Sequence, residues 1–134
     1  MSKLSAQLVV IGGAAALVDA LAAYWPPEDT ALVADGAAAQ AYLRAHGSPA
    51  PGLIVIEAGT SALAAVSALK ADAQMKSIPL AVFCAGGDAG AIDACYRAGA
   101  NACVIRPAAS ADLHRVAGAL IGFWLGVNQA PPQD

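Results

Sequence analysis

The sequence predicts an α/β domain built as a three-layer, doubly wound parallel sheet of five strands, and three observations carry that prediction. Short apolar bursts recur along the 134 residues, at Leu8–Ile11, Leu53–Ile56, Leu80–Phe83 and Cys103–Ile105. Segments with helical apolar spacing alternate with them. The bursts are near-continuous rather than alternating, which is how strands covered on both faces read. Repeated strand–helix units of this size close into a parallel sheet with helices on both sides.

Taken in order, the strands are expected at Gln7–Ile11, Ala31–Ala34, Leu53–Ile56, Leu80–Phe83 and Ala102–Ile105. The helices are expected at Ala14–Tyr24, Ala37–Ala45, Ser61–Ala71, Gly90–Ala98 and Ala111–Val127. Leu17, Leu21 and Tyr24 share one helical stripe, and Leu63, Val66 and Leu69 another. The last helix has the clearest stripe, Leu113, Val116, Leu120, Trp124 and Val127, with Ser110 placed to cap it. Pro26-Pro27, the Gly47–Gly52 stretch, Gly86-Gly87 and Gly99 punctuate the elements. One domain over 1–128 and a loose tail over 129–134 account for the length.

Composition narrows the function. Hydrophobic residues make up 58% and charged residues 13%, enough for a core and against disorder. Net charge is −3 with no basic cluster, so nothing marks a nucleic-acid surface. No uncharged apolar run reaches the roughly 18 residues of a membrane span, and no signal-peptide pattern opens the chain. A cytoplasmic location is the expectation. Cys84, Cys95 and Cys103 are odd in number and contain no CxxC pair, which reads as buried reduced thiols and not as a disulfide framework or zinc site.

In such a sheet, function collects beyond the carboxyl ends of the strands. The residues there are Gly12-Gly13, Asp35, Glu57, Cys84 and Arg106-Pro107. Three segments of this set resemble the receiver domain of two-component response regulators, the CheY-like family. Pro51–Glu57 resembles the strand that ends in the phosphoacceptor aspartate. Ser77–Cys84 resembles the strand that ends in a threonine or serine. Ala98-Gly99-Ala100 through Arg106-Pro107 resembles the run that ends in Lys-Pro. The resemblance implies flavodoxin-like strand order 2-1-3-4-5. Gly122–Leu125 with Asn128 and Pro131-Pro132 is similar to the ending of stand-alone receivers that partner phytochrome-type sensor kinases.

Against that family pattern, each part of the phosphotransfer apparatus has changed. The acidic pair that holds Mg²⁺ is replaced by Gly12 and Gly13, which offer no side-chain oxygen to an ion that requires oxygen ligands. The acceptor position holds Glu57, whose extra methylene moves the carboxylate by about 1.5 Å. Cys84 stands in the hydroxyl slot and Arg106 in the lysine slot. The expectation is therefore a receiver without aspartyl phosphorylation, without catalysis and without a magnesium cofactor. It would act by docking to a protein, a sensor histidine kinase or a downstream effector. Two arrangements of Glu57 stay open: a bidentate pair with Arg106 that imitates phospho-aspartate, or a side chain turned to solvent.

Other readings stand beside this one. A divergent receiver would still accept phosphate, at Glu57 or elsewhere, from a histidine kinase. A small anion- or nucleotide-binding domain would use Gly12-Gly13, although Ala14 and Leu17 break the G-x-G-x-x-G pattern. Asp35 reads as a turn residue, and Cys84 as a redox-sensitive thiol only if Arg106 lowers its pKa. His46 and His114 lack a second ligand at metal spacing. Adjacent Phe123 and Trp124 cannot face the same way on a helix; with Tyr96 they are the candidate surface for a homodimer.

Overall fold

The computed structural model describes residues 6–46, 50–57, 62–84 and 89–127. The strands are β1 (Leu8–Ile11), β2 (Thr30–Val33), β3 (Leu53–Glu57), β4 (Leu80–Cys84) and β5 (Ala102–Ile105). The helices are α1 (Ala15–Ala22), α2 (Gly36–His46), α3 (Ala62–Ala71), α4 (Ala89–Ala98) and α5 (Ser110–Ile121). All strands are parallel, in the order β2-β1-β3-β4-β5. That order places β1 and β3 side by side, with the switch in winding direction at their carboxyl ends.

Alternation along the strands divides the core in two. Val9, Ile11, Ile54, Ile56, Val82 and Cys84 face α2, α3 and α4, whereas Leu8, Val10, Leu53, Val55 and Phe83 face α1 and α5. The central strands are buried along their length, as their apolar runs require. The edge strands differ from that expectation: Leu32 of β2 is 60% exposed and Ile105 of β5 is 55% exposed.

Helix faces depart from the sequence reading in three places. Leu63 is exposed; Ala62 and Ala65 join Val66 and Leu69 in the core instead. The reason is close packing: a Cβ on Gly36 of α2 would lie 3.0 Å from Ala65, so only small residues fit between α2 and α3. Tyr24 is exposed beyond the end of α1, its ring lying over Gly118 of α5, where an added Cβ would come within 2.7 Å. Ser110 is the first residue of α5 and Ala109 its N-cap, with no side-chain capping bond, so the expected serine cap is displaced by one position.

Past α5 the chain continues as a π-helix, Gly122–Val127. This changes the stripe: Leu113, Ala117, Leu120 and Ile121 are buried, while Val116 and Trp124 are half-buried. A Cβ on Gly52, just ahead of β3, would meet the Leu125 side chain at 2.5 Å, so the π-helix closes over the amino end of the sheet. No helix among the described residues is long and apolar enough to cross a membrane. The expected tail over 129–134 lies outside the described residues.

Candidate functional site at the carboxyl ends of the strands

The turn after β1 is shaped by its glycines. Gly12 adopts φ +67°, the left-handed conformation that favours glycine, and its N–H donates to the Val33 carbonyl at 2.9 Å. A Cβ on Gly13 would lie 2.8 Å from Val10 Cγ1 and 3.1 Å from Val18 Cγ2. Carboxylates in place of this pair therefore need both a strained backbone and a displaced core. Ala14 follows in extended conformation as the N-cap of α1, without any side chain of its own to satisfy the helix end.

Glu57 reaches this turn and holds the backbone N–H of Ala14 itself. It ends β3, and its carboxylate turns toward the first turn of α1, where Oε1 accepts the Ala14 N–H at 2.5 Å. The positive end of the helix dipole favours an anion there. The other oxygen, Oε2, lies 2.7 Å from Nε of Arg106. Arg106 follows β5, and its backbone N–H donates to the Cys84 carbonyl at 2.8 Å, which fixes the chain as it leaves the sheet. From there the side chain reaches past β4 to β3.

The ion pair is mostly out of water, with Glu57 12% and Arg106 34% exposed. Of the two arrangements left open by the sequence, pairing is the one present. It is not the expected two-pronged fork: Arg106 Nε is buried with no aligned hydrogen bond, so its contact with Glu57 is charge against charge.

Asp35 behaves as a turn residue, its Oδ1 accepting the Ala38 N–H at 2.8 Å at the start of α2. His46 packs against Tyr42, with ring centroids 5.3 Å apart. Pro107 is half-buried beside Arg106. Of the interface candidates, Tyr96 is 48% and Phe123 51% exposed, while Trp124 is half-buried and meets Phe123 edge-on at 4.9 Å.

Cys84 and Cys95 are buried and Cys103 is half-buried. Burial pushes the Cys84 thiol up from its ordinary pKa, so it is no activated thiolate. Cys84, Cys95 and Cys103 also converge, with all three sulfurs within 4.8 Å of one another. Strand and helix spacing along the sequence carries no signal for this, because the three residues come from β4, α4 and β5.

A magnesium ion does not fit the residues present. Gly12 and Gly13 offer no side-chain oxygen, and both Glu57 oxygens are engaged, one by a backbone amide and the other by a guanidinium. A cation beside Arg106 would also meet like charge.

No family model matches the chain, and no curated protein matches it. Solved structures do. The phosphorylated cyanobacterial phytochrome response regulator RcpA is 22% identical, with a TM-score of 0.77 over 96% of this chain and 100% of its own. A response regulator from Hahella chejuensis is 18% identical, with a TM-score of 0.78 over 94% and 100%. A response regulator receiver domain from Rhodospirillum rubrum is 17% identical, with a TM-score of 0.74 over 95% and 99%. Agreement of strand order, helix placement and nearly full mutual coverage gives this chain the response-regulator receiver fold, the CheY-like form of the doubly wound sheet.

Proposed function

We propose that this protein is a receiver-type domain of two-component signalling that acts by docking to a protein partner, without phosphotransfer, catalysis or a magnesium cofactor. The observation that carries the reading is the Glu57 carboxylate, tied on one side to the Ala14 amide and on the other to Arg106. An acid and a cation already neutralise each other where a working receiver needs a free carboxylate and a metal. Glu57 thus stands in permanently for a phosphorylated aspartate, and the domain is held in one signalling state. The same bond occupies the Ala14 amide, one of the donors that the alternative of an anion or nucleotide at Gly12-Gly13 would use.

A sensor histidine kinase or an effector in the cytoplasm is the partner this reading calls for. Tyr96, Ile105 and Phe123 are exposed apolar side chains open to docking or to a homodimer. The proposal is checked by amide NMR during titration with Mg²⁺ and beryllium fluoride, which together imitate a bound phosphoryl group. The resonances of Gly12, Gly13, Ala14, Glu57 and Arg106 are expected to stay in place. Saturable shifts at these residues would overturn the reading.

A further inference from the structure

The three cysteines of this chain lie on three different elements: Cys84 ends β4, Cys95 sits in α4, and Cys103 is in β5. Their sulfurs meet within 4.8 Å, with Cys84 and Cys95 buried and Cys103 half-buried. Among the described residues, Cys84 and Cys103 have only weak carbonyl contacts. Cys84 Sγ lies 3.9 Å from the Val82 carbonyl and Cys103 Sγ 3.9 Å from that of Ile92, both weak thiol contacts. The surrounding side chains are apolar, Val82, Leu80, Ile92 and Ala98 among them.

We propose that Cys84, Cys95 and Cys103 form a three-thiolate site for a trivalent thiophilic centre of the arsenite class. Ligand type, ligand number and charge lead to this choice. Thiolates select soft centres. Zinc in structural sites takes four ligands, and among the described residues this cluster provides three, with no histidine or carboxylate atom in the group. Three thiolates carry three negative charges, so a monovalent or divalent ion would leave net charge in an apolar core, at a large cost. A trivalent centre leaves none.

The chemistry balances without an oxidant. As(OH)₃ condenses with three thiols: three As–OH and three S–H bonds break, three As–S bonds form, and three water molecules leave. Arsenic stays trivalent throughout. The apolar core favours this route over capture of a simple cation, because the product leaves no net charge there. The condensation consumes neutral thiols and a neutral reagent.

Loading would be felt beyond the sulfurs. Cys95 is the buried residue of α4, so a bound centre ties that helix to β4 and β5. The Cys84 carbonyl in turn holds the Arg106 amide.

The test uses the full chain, reduced with a phosphine and titrated with sodium arsenite, with zinc chloride as a parallel arm. Native mass spectrometry is expected to show one arsenic per chain with loss of three hydrogens, and thermal unfolding is expected to move upward on loading. Cys84→Ala, Cys95→Ala and Cys103→Ala should each weaken arsenite binding by at least about tenfold, with circular dichroism reporting whether each variant is folded. The three-hydrogen loss in the unmutated chain decides the matter even if a variant does not fold. No adduct, an adduct retaining any of those hydrogens, unchanged affinity in any folded variant, or tighter binding of zinc than of arsenite would each overturn the proposal.

Discussion

Arg106→Ala is expected to destabilise the protein by about 2–3 kcal/mol, read as a lowered midpoint in chemical denaturation and a fall of roughly 10 °C in Tm. The cost arises from what is left behind. Glu57 is only 12% exposed, and without the guanidinium its carboxylate keeps one partner among the described residues, the Ala14 amide. Removing one member of a fully buried pair costs about 3–5 kcal/mol; Arg106 is 34% exposed, so water can partly replace it and the value falls below that range. Adding Glu57→Gln to the variant removes the stranded charge and should recover part of the loss. A change within about 0.5 kcal/mol for Arg106→Ala would mean the carboxylate is solvated and the pair does not hold the site.

Phe83→Ala should cost more, about 3–5 kcal/mol. Phe83 is fully buried at the centre of the sheet, on the face covered by α1 and α5. Those helices present Ala20 and Ala117 to the core, residues too small to move into a vacated ring volume. The remaining volume is close-packed with Leu, Val and Ile side chains, which cannot refill the ring's space without leaving their own. Ile105→Ala is the control: that side chain is 55% exposed on the edge strand, and a change below about 1 kcal/mol is expected from the same denaturation experiment. Similar losses for the two variants would contradict the layering described above.

How far the sequence disclosed this structure depended on distance along the chain. Apolar runs located the five strands because burial on both faces removes any need for polar alternation, as in Leu53–Ile56. The same rule failed at Leu32 and Ile105, where an edge position leaves an apolar side chain in solvent. Leu63 misled for a different reason. In alanine-rich helices the closest approach belongs to the small residues, here Gly36 and Ala65, and the leucine turns outward. Glu57 and Arg106 were recognisable as neighbours since both follow strand ends, yet whether their side chains meet is a matter of rotamers that no periodicity records. Nothing local announced the Ala14 amide, which has no side-chain signature, or the meeting of three cysteines from β4, α4 and β5.

The most direct test is a mass measurement on the intact chain after incubation with acetyl phosphate and excess Mg²⁺. With Glu57 bound to the Ala14 amide and facing Arg106, the mass is expected to remain that of the unmodified protein. A phosphoryl adduct that maps to Glu57 would show that the carboxylate leaves both partners to accept phosphate, and would contradict the central claim.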